Sequence, residues 1–372
     1  MFSRKRVISL IFGIFGEYLN PKFSHRKLMK FVRWIFFPFS ILYGGLMRLR
    51  NWLYNKGLKK SYGFSQPIIA VGNLSFGGTG KSPHIEYLIN LLGEEFQLCT
   101  ISRGYGRKTK GFLEAEAAVT AEQIGDEPYQ FYRKYGASVK VAVGEDRVNA
   151  IQTVLKKHAS IDLFLLDDGF QHRRVQRDLN LLLSDYNAPF YKDVVLPAGN
   201  LREPRVGANR ADAVLVTKCP TGLPIEEKEE IKARISRYNK KAPVFFSSIK
   251  YGELKPVFAL NNLAKQVILI SGIANPKPFE DHLKESFYVL AHYNFTDHHQ
   301  FDEDDLTSIL ELTEAEDVSV ITTEKDMVRL LPFATHDLFM RFSLFYLPIT
   351  VTIDEAEEFE YAVRKITESI KK

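Results

Sequence analysis

Cysteine is nearly absent. Cys99 and Cys219 are the only two in 372 residues, too few for a disulfide framework or a multi-thiolate metal site. They read as buried thiols in a reducing compartment. Long hydrophobic runs are missing too. The longest charge-free apolar run, residues 34–47, has 14 residues and holds Pro38 and a Gly pair, short of the ~20 that a spanning helix needs. An integral multi-span protein is therefore excluded. There is no internal repeat and no low-complexity segment, and 45% hydrophobic with 26% charged residues excludes a disordered or fibrous chain. At ~150 residues per domain, the length suggests two compact domains.

Acidic residues are missing from the front of the chain. Residues 1–60 hold thirteen Lys/Arg and one acid, Glu17, a net of +12, while the other 312 hold 37 bases and 44 acids, a net of −7. A slightly acidic globular protein thus carries a basic, apolar and aromatic front end, which points to nucleic acid or to an anionic membrane surface. Three features favour the membrane. The basic cluster Arg4-Lys5-Arg6 precedes an apolar block at 7–16, and basic residues at 22–33 precede 34–47. Leu42, Leu46, Leu49 and Leu53 repeat at +4, +3, +4, within a narrow arc of one helical face, with Asn51 and Asn55 opposite. Trp34, Phe36, Phe37, Phe39, Tyr43, Trp52 and Tyr54 supply rings of the kind found at headgroup level. The expectation is a peripheral, amphipathic, membrane-contacting helix with no nucleic-acid partner and no obligate protein partner. The competing expectation, that the leucine stripe packs on the protein's own core, requires those leucines to be buried. A signal peptide is set aside because no small-residue cleavage site follows Gly16.

The run 68–71 reads as a buried strand. It leads into Gly72-Asn73-Leu74-Ser75-Phe76-Gly77-Gly78-Thr79-Gly80-Lys81-Ser82 and a helical segment, the context of a phosphate-binding loop. Gly77, Gly78 and Gly80 let backbone N–H groups converge on phosphate oxygens at a helix N-terminus. Lys81 reaches the β/γ-phosphates, and the Ser82 hydroxyl can ligate Mg²⁺. Ser75 stands where the strict pattern has Gly, so the loop is a GGxGK[ST] variant; residues 75–82 are the nucleotide-binding candidates. The hydrophobic run 161–166 ends in Asp167-Asp168-Gly169, a Walker-B-like element whose carboxylates can hold Mg²⁺ and orient the nucleophile. Gln171-His172-Arg173-Arg174 lies beside the same strand end, where doubly wound sheets bind ligands. Guanine-reading loops are lacking: Thr217-Lys218-Cys219-Pro220 has no final Asp, and Thr323-Glu324-Lys325-Asp326 begins on the wrong residues. ATP is expected rather than GTP.

Further strings spread along the chain: Ser102-Arg103-Gly104-Tyr105-Gly106, Gly125-Asp126-Glu127-Pro128, Asp167-Asp168-Gly169-Phe170-Gln171-His172, Leu196-Pro197-Ala198-Gly199, Leu201-Arg202-Glu203-Pro204, Asp297-His298-His299 and Thr323-Glu324-Lys325-Asp326. Together with the phosphate loop, and in this order over roughly residues 40 to 330, they resemble the tetraacyldisaccharide 4′-kinases, which phosphorylate a lipid A precursor. Ser82 in place of the commoner Thr keeps the hydroxyl, and Asn200 stands where Pro is usual. The resemblance implies transfer of the γ-phosphate of ATP, with Mg²⁺, to the 4′-hydroxyl of an acylated disaccharide 1-phosphate at the cytoplasmic face of the bacterial inner membrane. It implies a P-loop NTPase-like α/β fold of two α/β/α sandwich domains joined by a short β linker, with the site in the cleft. It suggests Asp126 as the base facing the sugar hydroxyl and His298 as its partner across the cleft. Arg103, Arg147 and Arg202, with Gln171 and His172, are the substrate-binding candidates, because guanidinium takes phosphate in bidentate geometry. Ser82, Asp167 and Asp168 are the metal candidates, with Glu203 in the outer shell.

Alternating strands (97–102, 139–143, 161–167, 179–183) and helices (84–92, 127–135, 147–156) predict a mostly parallel, doubly wound sheet. Pro197, Gly199, Pro204 and Gly207 mark a loop-rich junction. Strands at 213–217, 267–271, 288–291 and 318–322 follow, with helices at 226–238, 277–286, 304–313 and from 354; 244–249 and 257–260 are candidate linking strands. The expected division is a membrane-contacting segment 1–60, a P-loop kinase domain 61–205, and a second α/β domain 206–372 that closes the cleft. The rival is a membrane-associated P-loop ATPase of the partitioning or metal-delivery kind. Such proteins carry a signature Lys at the loop's start, where this chain has Ser75 and Phe76.

Overall fold

The computed structural model describes residues 25–257, 262–313, 318–333 and 343–368. The basic cluster Arg4-Lys5-Arg6, the apolar block 7–16 and residues 258–260 of the expected linking strand lie outside the described residues.

Nine strands form the first sheet, in the order β14 (Ile349–Ile353), β8 (Val244–Tyr251), β7 (Ala213–Thr217), β6 (Leu179–Asp185), β1 (Ile68–Asn73), β5 (Leu163–Asp167), β2 (Leu98–Ser102), β4 (Lys140–Val143) and β3 (Leu113–Glu114). All neighbours are parallel except the two edges, where β14 pairs antiparallel with β8 and β3 with β4. Alternate residues of β1 enter opposite cores. Ile69 and Val71 pack with α2 (Lys81–Leu92) and the C-terminal helix α10 (Ala356–Glu368), while Ile68 and Ala70 pack with α5 (Arg147–Lys157). A sheet with apolar side chains on both faces must be covered by helices on both, hence the α/β/α sandwich.

The second sheet has the order β11 (Tyr288–Asn294), β10 (Gln266–Ser271), β12 (Val318–Thr323), β13 (Leu344–Leu347) and β9 (Lys255–Pro256), parallel but for β9. Here too the faces alternate: Ile268 and Ile270 enter one core with Leu306 and Ile309 of α8 (Glu303–Thr313), and Val267 and Leu269 enter another with Phe279 and Leu283 of α7 (Lys277–Lys284). The chain crosses between the sheets twice, from β8 to β9 and from β13 to β14. The two crossings lie side by side, with Ile349 opposite Tyr251, Tyr346 opposite Lys255, and the Gly252 N–H donating to the Pro348 carbonyl at 2.9 Å.

The expected border at residue 206 falls inside the first sheet. β7, β8 and β14 all belong to it, as does α10 through Phe359 and Val363. The Pro- and Gly-rich stretch 197–207 is a loop folded over the phosphate loop, where Ser75 pairs with Leu201.

Helix α1 (His25–Asn55) lies on this loop by its small and polar side. Tyr43 donates to the Arg202 carbonyl (2.9 Å), Arg50 to the Gln171 carbonyl (3.0 Å) and Asn51 to Glu203 Oε2 (2.8 Å), while Ser40 Oγ accepts from the Ala198 N–H (2.9 Å). Arg173 reaches back to Asn51 and Asn55. The opposite side carries exposed Trp34, Phe37, Phe39, Ile41, Trp52 and, at 65%, 58% and 53% exposure, Leu42, Leu46 and Leu49; Leu53 at the end is half-buried. The first three leucines of the stripe are therefore not core.

Candidate active site

The phosphate loop follows β1, and the Asp pair ends its parallel neighbour β5, with Asp167 in register with Val71. Two adjacent strand ends thus deliver both halves of the site to one edge of the sheet. Gly77 (φ +112°) and Gly80 (φ +84°) occupy the left-handed region that other residues resist. Gly80 caps α2, whose first residues are Lys81 and Ser82. The loop is braced from behind. Thr217 Oγ1 donates to the Thr79 carbonyl (2.9 Å), Lys218 Nζ to the Gly78 carbonyl, and His84 Nδ1 lies 2.7 Å from the Gly80 carbonyl. Burial lowers the His84 pKa to about 4, so it is a neutral brace. Phe76 is fixed by its N–H to the Asn200 carbonyl (2.8 Å), with the Arg202 guanidinium 4.7 Å above its ring.

Lys81 Nζ stands 3.8 Å from Asp168 Oδ1, and Arg202 Nη1 donates to Asp168 Oδ2 at 2.6 Å. Burial alone raises the Asp168 pKa, but the Lys81 and Arg202 cations outweigh it and hold the carboxyl below the ordinary range. Asp167 is buried, and desolvation, reinforced by the Glu127 charge, pushes it up to about 7. Asp167 Oδ1 and Asp168 Oδ1 are buried and lack a hydrogen-bond partner. Two orphaned carboxylate oxygens beside the Lys81 ammonium fit a divalent cation (hard, oxygen-seeking) that takes few protein ligands and completes its shell with phosphate and water. No cluster of three or more His, Cys, Asp or Glu side chains placed to hold a metal occurs among the described residues.

Arg147 is buried, donates to the Gly144 carbonyl, and leaves Nε and Nη2 without partners. Burial lowers its pKa to about 10 despite Asp167 and Asp168 nearby. Burial and the Arg147 charge bring His172 down to about 4. Arg103 is exposed on the same side, close enough to perturb both. Gln171 and Glu203 sit further back: Gln171 Nε2 donates to the Asn73 carbonyl (2.8 Å) and to Glu203 Oε1 (3.1 Å), and Glu203 also accepts from Asn51 and Arg210. All of Glu203's known partners are protein donors, which ties α1 to the phosphate loop.

The second centre pairs a residue carried by the first sheet's layers with one carried by the second sheet. Asp126 opens α4 (Asp126–Tyr135) behind Gly125, whose φ of +95° and tight contact with the Tyr105 carbonyl forbid a side chain. His298, itself at φ +62°, approaches Asp126 Oδ2 to 3.5 Å and lies against the Tyr105 ring. Burial opposes ionisation of Asp126, but the His298 bond and the Arg329 charge lower its pKa. Three ion pairs fasten α4 to α9 (Glu324–Leu330): Asp126–Arg329 at 2.7 Å, Glu127–Lys325 at 3.4 Å and Lys134–Glu324 at 3.2 Å. Glu127 lies between the two centres: burial opposes its charge, but Lys325, Lys81 and His298 outweigh it and lower its pKa.

The site thus unites Lys81, Ser82, Asp167, Asp168, Arg147 and Arg202 around one point and Asp126 with His298 around another. Sequence reading assigned no role to Glu127, Lys325 and Asp326, although they sit within quoted strings, and it missed Arg329 altogether. Lys218 and Thr217 appeared only as a failed guanine loop, and nothing in their spacing shows that they brace the phosphate loop.

The chain is similar to known proteins over most of its length. The family model for tetraacyldisaccharide-1-P 4′-kinase matches residues 32–368. A tetraacyldisaccharide 4′-kinase of Flavobacterium johnsoniae is 43% identical over 342 residues, 90% of this chain and 97% of the relative. One from Bacteroides fragilis is 41% identical over 341 residues, 87% and 90% of the two chains. The crystal structure of LpxK from Aquifex aeolicus in complex with ATP superposes with a TM-score of 0.70 at 32% identity, covering 90% of this chain and 99% of that one. A match that runs through both sheets, at such identity and coverage, leaves one conclusion: the chain belongs to the tetraacyldisaccharide 4′-kinase family.

Proposed function

We propose that this chain binds ATP at residues 75–82 and transfers its γ-phosphate to the 4′-hydroxyl of a tetraacyldisaccharide 1-phosphate, giving lipid IV-A. The observation that carries this reading is the pairing of Asp126 with His298 at 3.5 Å, beside Glu127, whose charge is stabilised by Lys325, Lys81 and His298. Phosphoryl transfer requires positioning, charge neutralisation and a group that takes the hydroxyl proton. Lys81 and the loop N–H groups hold the β- and γ-phosphates. Asp126, ionised and fixed at one oxygen, accepts the 4′-hydroxyl proton as the oxygen attacks phosphorus, and His298 stabilises the pair. Arg103, Arg147, His172 and Arg202 bind anionic substrate groups; the free Nε and Nη2 of Arg147 suit that role. Mg²⁺ would be held by Ser82, Asp167 and Asp168, where it neutralises phosphate charge. Glu203, held by Gln171, Asn51 and Arg210, would support that shell from behind.

The acceptor's acyl chains stay in a bilayer, so the site must work at a lipid surface. The outward side of α1, aromatic and aliphatic with basic Arg33, Arg48, Lys56, Lys59 and Lys60 around it, supports peripheral contact with the anionic cytoplasmic face of the inner membrane. No helix among the described residues is long and apolar enough to cross a membrane. The partitioning-type ATPase reading has no support in the family match. The test is label transfer from γ-labelled ATP to the disaccharide 1-phosphate in detergent: wild type should label the lipid, Asp126→Asn should not, and equal labelling by both refutes the assigned base.

A further inference from the structure

Arg329 belongs to none of the strings that carried the reading, yet it touches both members of the base pair. Its side chain is 1% exposed. Nε donates to Asp126 Oδ2 at 2.7 Å, and Nη2 lies 3.1 Å from His298 Nδ1. Nη1 donates to Asp326 Oδ1 at 2.6 Å and to the Gly272 carbonyl at 3.0 Å. Asp326, fully buried, is fixed in turn: its Oδ2 accepts from the Gly272 N–H (2.9 Å) and from Thr323 Oγ1 (2.7 Å). Gly272 also accepts from the His298 N–H at 3.1 Å, which sets the loop that carries the imidazole. A Cβ at 272 would crowd Asp326 Oδ1 (3.0 Å) and Arg329 Nη1 (3.4 Å) and push these contacts apart. The result is a chain of contacts from the end of β10 through Asp326 to the guanidinium, and from there to both reacting partners.

The chemistry of the guanidinium gives this chain a direction. Arg carries five donors, no acceptor and a permanent charge. It shares His298 Nδ1 with Asp126 Oδ2, at 3.1 and 3.5 Å respectively, while Lys325 Nζ stands 3.5 Å from Nε2 on the far side of the ring. Facing Asp126 Oδ2, it is nearer than His298 by 0.8 Å (2.7 against 3.5 Å), so Arg329 is the principal donor to that oxygen. A bidentate fork fixes position as well as charge. Resting on the reading of Asp126 as the base, we propose that Arg329, clamped by Asp326, is the positioning residue of the Asp126–His298 pair: it occupies Asp126 Oδ2 and His298 Nδ1 and leaves Asp126 Oδ1 to take the hydroxyl proton. It comes from α9, on the second sheet, so it sets the geometry of a carboxylate carried by the first.

The experiment compares Arg329→Met, Arg329→Lys and Asp326→Asn in the full chain, with kcat and both KM values measured, and repeats Arg329→Met in an Asp126→Asn background. A displaced base forfeits much of the ~100-fold or greater benefit of positioned proton transfer. Arg329→Met should lower kcat by about that factor with KM for ATP within about threefold, because the phosphate loop is untouched. Arg329→Lys keeps one cation and one contact, and should recover part of the loss. Asp326→Asn, which touches neither Asp126 nor His298, should lower kcat by about tenfold while protein unfolding in urea stays cooperative. In the Asp126→Asn background Arg329→Met should cost less than about threefold more, since residues acting as a unit are non-additive. The proposal is overturned if kcat survives in folded Arg329→Met, or if the two losses multiply. Should Arg329→Met fail to fold, unchanged kcat in both Arg329→Lys and Asp326→Asn overturns it instead. Full activity in Asp126→Asn alone refutes the base itself, a different failure from that of Arg329.

Discussion

The outward face of α1 makes a quantitative prediction. Replacing Leu42, Leu46 and Leu49 by Ser alters none of the hydrogen bonds that dock the helix, which come from Ser40, Tyr43, Arg50 and Asn51. Each leucine is half to two-thirds exposed, and burying a whole leucine side chain stabilises by ~1.5–3 kcal/mol. Three partly covered leucines therefore contribute about 4 kcal/mol to lipid binding, roughly a thousandfold in partition. The surrounding cations contribute ~1 kcal/mol each near an anionic surface. Salt distinguishes the two contributions: between 0.1 and 1 M the screening length falls from ~10 to ~3 Å, which removes the charge attraction and leaves the apolar one. In co-sedimentation with phosphatidylcholine–phosphatidylglycerol vesicles, wild type should bind more weakly at 1 M salt but still bind. The triple variant should bind at low salt and be released at high salt. Equal binding of the two proteins at 1 M salt, with the variant folded, refutes the reasoning.

Lys81→Ala should lower turnover by several orders of magnitude while thermal unfolding stays near wild type, since the ammonium neutralises phosphate charge in the transition state; turnover within threefold of wild type contradicts the nucleotide site. Double substitution of Asp126 and His298 should cost little more than the worse single one, and kcat values whose losses multiply would mean two separate contacts. His84 carries a pH signature. Its folded pKa of about 4 lies below the ordinary 6.5, so the unfolded chain takes a proton that the folded chain refuses. The stability from its neutral form is complete above pH 6.5 and is lost as pH falls towards 4, by on the order of 3 kcal/mol. His84→Gln should flatten the fall in urea midpoint between pH 7 and pH 4, where His172 adds a slope of the same sign; an unchanged slope contradicts the buried neutral brace.

What could be read from the sequence was whatever a short segment carries whole. The turn at Asp126, between two helices, drew its role from the family resemblance, whereas the phosphate loop lies on one strand–loop–helix unit and Asp167-Asp168 ends one buried strand. The leucine stripe was legible for the same reason, and the structure shows why Asn51 and Asn55 lie opposite: they face the protein. Contacts between distant segments left no such trace. Arg329 meets Asp126 across 203 positions, and its only local signal is the i, i+3 spacing from Asp326. Lys218 reaches the phosphate loop across 140 positions. Pro and Gly at 197–207 signal irregular backbone, which served a site loop rather than a domain border. Pro348 between β13 and β14 hid two strands of different sheets inside one apolar run.

The phosphate loop and the Asp126–His298 pair together should pass a phosphoryl group from ATP to one sugar hydroxyl. The direct measurement is the product of wild type acting on tetraacyldisaccharide 1-phosphate with γ-labelled ATP and Mg²⁺, its new phosphate located by phosphorus NMR. A monoester at the 4′-position is expected, formed one-for-one with ADP and absent with Lys81→Ala. Release of labelled inorganic phosphate with the lipid unchanged, or a phosphate at another position, would contradict it.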